Sequence, residues 1–174
     1  MEFTYPTISC SLHSLKNFQD KDLAANILKK IEEYGKDFTP DKFDFYEPLK
    51  MDYRKEGLNG TVKLWMNEEG NQKHKRNGHK YAVGQLIARK KNSSKASYFM
   101  TWEKEQREGF NLFTLSANIN FLSKKNNLQR FLDLCYEISV LIEPAHGEIV
   151  NCSFPKWNAP MNLNKRIPEL QWAV

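Results

Sequence analysis

The sequence predicts an α+β fold, an antiparallel sheet with two helices packed on one face. Three patterns carry that expectation. Across Phe110–Phe121, one set (Phe113, Leu115, Ala117, Ile119, Phe121) alternates with another (Phe110, Leu112, Thr114, Ser116, Asn118, Asn120). A period of two marks a strand with one face on a core and the other drifting toward water. Beyond it the period lengthens: Leu128, Phe131, Leu132, Cys135, Ile138 and Ile142 fall at helical spacing, with Leu134 and Leu141 widening the stripe. An earlier pair repeats the arrangement, a strand over Thr4–Leu12 followed by a helix with the stripe Leu23, Ala24, Ile27, Leu28, Ile31 and Tyr34.

In chain order, Thr4–Leu12 sets Tyr5, Thr7 and Ser9 against Ile8, Cys10 and Leu12, and Pro6 suits a strand at an edge or just entering the sheet. Asp20 is placed to cap the first helix, and Gly35 or Thr39-Pro40 ends it. Asp37–Asp52 interleaves aromatics with acids, while Pro40 and Pro48 oppose a regular element through its middle. It reads as an ordered crossing segment pinned by Phe38, Phe43, Phe45 and Tyr46. Thr61–Asn67 fits a short helix and a short strand equally well. Asn67–Lys80 is a polar, basic loop; Tyr81–Ala88 is a strand in which Gly84 suits a bulge. Lys90–Ala96 is a second basic loop. Tyr98, Met100 and Trp102 alternate with Phe99 and Thr101, and Glu103–Gly109 makes the hairpin loop to the next strand. Asn126 and Gln129 have the spacing of a capping box, and Pro144 stops the second helix. Gly147–Phe154 is a last strand, and Trp157 and Trp172 anchor the tail Pro155–Val174. Strand, helix, strands, helix, strand is the ferredoxin-like split βαβ arrangement, here with a long insertion after the first helix. Nothing in residues 1–174 resembles a linker or an internal repeat, so they read as a single domain.

The chain has 174 residues, 40% of them hydrophobic, enough to bury a core without staples. No apolar run has the length of a membrane span, and the N-terminus lacks the basic and apolar regions of a secretory signal. Cys10, Cys135 and Cys152 are odd in number and set in apolar patterns, which suits buried thiols in a reducing compartment. A cytoplasmic protein is expected.

No catalytic constellation stands out, so the expectation is a protein that is not an enzyme and uses no cofactor or metal. His74 and His79 are five apart, not at the i, i+4 spacing of a helical zinc site, and His146 follows a helix end, where its charge would favour the dipole. Glu103, Glu105 and Glu108 fall in a hairpin loop, whereas paired-carboxylate chemistry needs a cleft. The charge distribution is more informative. The formal net charge is +5, yet between Glu69 and Glu103 there are eight basic residues and no acid, leaving −3 for the remainder. Lys73, Lys75, Arg76, Arg89, Lys90 and Lys91 are either solvated loop residues or candidate partner-binding residues, able to contact phosphates. Aromatic residues make up 13% of the chain, and Tyr46 and Trp65 lie outside the clear core elements, as interface anchors do.

The helix Leu128–Ile142, then Gly147-Glu148-Ile149, Arg166-Ile167-Pro168 and Trp172, resembles the C-terminal part of some bacterial polymorphic-toxin immunity proteins and related domains of unknown function. That resemblance covers the last third of the chain. It implies a small intracellular protein, bacterial or phage, that binds and blocks a partner protein such as a toxin or a defence effector. It carries over no catalytic residue. A nucleic-acid-binding accessory protein using the basic loops of residues 73–95 is the alternative expectation.

Overall fold

The computed structural model describes residues 6–67, 72–76, 79–90, 95–103, 111–124, 126–152 and 171–172. Side chains of residues 72–76, 79–83, 103 and 171–172 are not described. In order, the elements are β1 (Thr7–Ser14), α1 (Lys21–Glu33), β2 (Lys42–Asp44), β3 (Met51–Asp52), α2 (Tyr53–Trp65), β4 (Gln72–Arg76), β5 (His79–Arg89), β6 (Ala96–Glu103), β7 (Asn111–Asn118), α3 (Ile119–Leu122), α4 (Asn127–Ile142), β8 (His146–Asn151) and β9 (Gln171–Trp172).

The α+β expectation holds. Every strand pairing is antiparallel, and the order is β3-β2-β5-β6-β7-β1-β8-β9, with β4 paired to β5. Within it, β6-β7-β1-β8 with α1 and α4 is the split βαβ arrangement: β7 lies between β1 and β6, and β1 between β7 and β8. Everything between α1 and β6 is the insertion, and it lengthens the sheet beyond β6. Pro6 precedes β1, which is a central strand rather than an edge.

One face of the sheet carries the core. Cys10, Leu12, Phe113, Leu115, Ala117, Tyr98, Met100, Trp102, Leu86 and Ala88 are buried there. Over them lie Leu23, Ala24, Ile27, Leu28 and Ile31 of α1 and Phe131, Leu134, Cys135, Ile138 and Ile142 of α4. The two expected covering helices are α1 and α4, and the insertion adds α2 beside α1, its fully buried Trp65 stacking on Trp102 at 5.5 Å between ring centroids. Trp65 Nε1 donates to the Phe18 carbonyl at 2.7 Å, satisfying the one polar atom of that ring.

Local chemistry sets most boundaries. Asp20 caps α1, its Oδ1 accepting from Asp22 N at 2.8 Å and Leu23 N at 3.0 Å. Gly35 follows α1 with φ 83°. The segment Thr61–Asn67, undecided from sequence, is helical through Trp65 and continues a helix begun by the Asp52 cap; Gly57, at φ 62°, kinks it. Two short strands, β2 and β3, regularise the aromatic segment expected to cross irregularly. The basic loop Asn67–Lys80 is corrected too, since Gln72–Arg76 pairs with β5 as a hairpin strand. Gly84 makes no bulge: it pairs regularly with Trp102. The strand expected to reach Phe121 ends at Asn118, whose side chain accepts from Asn120 N at 2.8 Å and turns the chain into α3. The capping box does not form. Asn126 makes no side-chain cap bond, and Gln129 donates to Asp133 at 2.7 Å instead. At the other end Glu143 takes a left-handed conformation, φ 47°, before Pro144. The expected hairpin loop after Glu103, most of the second basic loop and most of the tail lie outside the described residues.

Candidate functional site

Helix α4 carries apolar side chains around more of its circumference than the sheet and α1 cover. Phe131, Leu134, Cys135, Ile138 and Ile142 turn inward. Leu128 and Leu132, expected in that same stripe, turn outward, and Tyr136 and Val140 continue the row. Leu128 is 45% exposed, Leu132 37%, Tyr136 63% and Val140 56%. These are large exposures for apolar groups on a helix whose other side is fully buried. Steps of four residues advance by about 40° around a helix, so the row forms an oblique ridge about 18 Å long. Buried polar residues conceal its direction in the sequence. Ser139 is buried with its Oγ donating to the Tyr136 carbonyl at 2.7 Å, and buried Asn127 donates to the Phe121 carbonyl at 2.9 Å.

The base under the ridge is fixed at both ends. Ser14 Oγ donates to the Ile142 carbonyl, and Lys16 Nζ donates to the Leu141 carbonyl and to Glu143, both at 2.9 Å. Between these residues Leu15, in the same turn, is 64% exposed. Arg130, near the other end, donates to the Tyr34 carbonyl and to Asn127 Oδ1, and its guanidinium lies 5.1 Å over the Phe38 ring. The sole cation of α4 is thereby committed to the α1 side. Along that side stand Asp133 and Glu137. Lys30 reaches Glu137 at 3.6 Å and Glu33 at 2.8 Å, so one lysine serves two carboxylates. Its hydrogen bond to Glu33 comes first among the causes that raise the ammonium above its usual range and lower the carboxyl.

The residues singled out from the sequence are scattered. Lys73, Lys75 and Arg76 lie on β4, in register opposite Ala82, Lys80 and His79. Arg89 pairs with Glu47 at 2.7 Å, and Lys90, itself buried, with Asp41 at 3.0 Å. Those two cations therefore hold the β2–β5 edge together. Lys91 lies outside the described residues. Tyr46 is partly exposed beside the Phe45 ring, centroids 6.4 Å apart. Trp65, expected as a surface anchor, is a core residue, because its indole fills the space between α2 and β6. Arg89, Lys90, Tyr46 and Trp65 belong to the insertion side of the sheet, away from the α4 ridge, which the sequence reading missed. Its signal was present as the i, i+4 run Leu128, Leu132, Tyr136, Val140.

On the face of the sheet away from the helices, Ser9 and Ser116 share a hydrogen bond of 2.7 Å, and Ser11 and Thr114 meet at 3.5 Å. His13 and His146 stand at the β1–β8 end of this face, ring centroids 5.9 Å apart, with Glu148 near. Burial, then the His146 ring, lower the His13 imidazole below its ordinary 6.5, against the opposing pull of Glu148. Cys10 and Cys135 are free thiols in the core, and burial pushes Cys135 upward. Among the described residues no three His, Cys, Asp or Glu side chains converge as a metal site. No helix of the described residues is long and apolar enough to cross a membrane.

Fold and site together define an α+β module of the split βαβ kind whose outward-facing feature is a helical apolar ridge beside carboxylates. No family model matches the chain, and no curated protein matches its sequence. Among solved structures it is similar to Pseudomonas aeruginosa T6SS protein PA0821, with a TM-score of 0.58 and 10% sequence identity over 84% of this chain. The match takes in 42% of that protein, so this chain spans about two fifths of its length. At that identity the likeness is one of fold.

Proposed function

We propose that this chain is a non-catalytic inhibitor of the immunity or anti-defence kind, blocking a partner protein by stoichiometric binding. The observation that carries this reading is the ridge Leu128–Leu132–Tyr136–Val140, apolar surface held outward on a helix whose inner face is buried. Exposed tyrosine and aliphatic side chains on a rigid support lose little conformational freedom when a partner covers them. The fold likeness to a T6SS protein supports a secretion-related or immunity-type role. The test is direct. The purified chain, mixed with the protein encoded beside its gene, binds one to one by calorimetry and abolishes that protein's activity. Absence of binding, or turnover of a small molecule by the purified chain, overturns the reading.

A second reading, contact with a nucleic-acid backbone, draws on β4–β5. Its register sets Lys75 opposite Lys80, and Lys73 and Arg76 lie on the same strand, so the hairpin gathers the basic residues that phosphate contacts would use. Binding to a random duplex at low salt that is lost at moderate salt, and lost on reversing Lys73, Lys75 and Arg76, would favour it.

A further inference from the structure

Beyond the inhibitor reading, and independently of it, we propose that His13 and His146 form a two-imidazole site for a divalent zinc, nickel or copper ion on the sheet face away from the helices. The register makes the pair. His13 lies directly opposite His146 across the antiparallel β1–β8 ladder, so both imidazoles leave the sheet on the same face. Their ring centroids are 5.9 Å apart, with the planes inclined at 43°. Two imidazoles holding a tetrahedral zinc ion, each bond about 2.0–2.1 Å long, have ring centres about 5 Å apart, so a small side-chain rotation closes the pair on an ion. The backbone under both residues is fixed. Strand β1 is paired on both sides, and the Ala145 N–H donates to the His13 carbonyl at 2.8 Å just before His146. Ligands carried by paired strands are positioned more closely than ligands on loops.

The surroundings suit a cation. Glu148 lies two positions along β8, hence on the same face, and acts electrostatically on the His13 imidazole. Its carboxylate favours a divalent charge at that end of the sheet. Among the described residues no third ligand converges with the pair, so the protein supplies two nitrogens, Glu148 the counter-charge and water the remaining positions. Imidazole sets the class of ion, because zinc, nickel and copper take nitrogen readily whereas magnesium and calcium take oxygen. His146 is exposed, which leaves the site open to solvent. Sequence spacing does not reveal it: the two histidines stand near opposite ends of the chain and become neighbours only through the ladder.

The experiment titrates zinc chloride, and separately nickel chloride, into the full untagged chain by calorimetry. One ion binds per chain, and excess magnesium does not displace it. His146→Gln, at an exposed position, weakens binding by about tenfold or more, as does His13→Gln, while Cys152→Ser and the double variant His74→Gln, His79→Gln leave it unchanged. Because the ion ties β8 to β1, zinc slows amide exchange in β8 of the parent chain and not in His146→Gln. No binding of either ion, binding that survives His146→Gln, or binding lost only with Cys152 or with His74 and His79 overturns the proposal. The two readings fail separately. A chain that blocks the protein encoded beside its gene but gives a flat zinc titration loses this site alone. A chain that binds zinc through the histidine pair but neither binds nor blocks that protein loses the inhibitor reading alone.

Discussion

Gly84 and Trp102 face each other across the β5–β6 pair, and a Cβ built on Gly84 would land on the indole ring. Trp102 cannot retreat, since Trp65 stacks on its far side. Gly84→Ala is therefore expected to cost about 1–3 kcal/mol as overpacking, read as a lowered midpoint in urea with unchanged slope. The glycine was visible in the sequence, but its purpose was not, because only the register decides which side chain lies opposite. His13 gives a pH prediction. Its imidazole is held below 6.5, first by burial and second by His146. Above that value both folded and unfolded chains carry it neutral, and no stability depends on it. As pH falls through 6.5 the unfolded chain takes up the proton first, so stability declines until the folded imidazole protonates as well. The melting temperature should fall on acidification from about pH 7 to about pH 5, and more gently in His13→Gln. An equal fall in the variant would assign the effect to other groups.

Helix α4 shows what periodicity reveals and what it withholds. Its existence, its length and its proline stop were all evident from spacing. Its orientation was not, because apolar residues occupy two rows and buried Asn127 and Ser139 interrupt the inner one. Choosing the inward row requires neighbours, and those are set by α1 and the sheet. Two adjacent substitutions test the orientation. Phe131→Ala should remove about 3–5 kcal/mol, since the ring is fully buried among the core residues of α1 and the sheet. Leu132→Ala, one position on, should stay within about 0.5 kcal/mol of the parent because its side chain faces outward. Similar losses at both positions, measured by chemical denaturation, would contradict the two-sided helix. The missing capping box has a related cause: Gln129 sits close enough to Asp133 for an i, i+4 hydrogen bond, and that local partner takes the side chain away from the cap.

At the scale of the molecule, the strands and helices adjacent in sequence were readable in order, because short connections leave few ways to join them. The placement of the insertion was not. Lys42–Asp44 is too short to show a period, and it becomes a strand only because β5 offers it an edge, closed by the Arg89–Glu47 and Lys90–Asp41 ion pairs. This asymmetry predicts an order of opening. Strands β1 and β7 each pair on both sides, they carry Leu12, Phe113 and Leu115 into the core, and β1 is tied to the end of α4 through Ser14. Strands β2 and β3 are three and two residues long at the far end of the sheet. Detaching them breaks few hydrogen bonds and leaves the split βαβ unit intact, whereas opening β1 or β7 disrupts the pairing on which α1 and α4 rest. In native-state hydrogen exchange the amides of β1 and β7 should exchange only by global unfolding, and those of β2 and β3 through smaller openings, separated by at least about 2 kcal/mol. Equal protection in all four strands would mean that the insertion folds as part of one cooperative unit with the β6-β7-β1-β8 core, and that the edge ion pairs contribute as much to its attachment as apolar burial does to the centre.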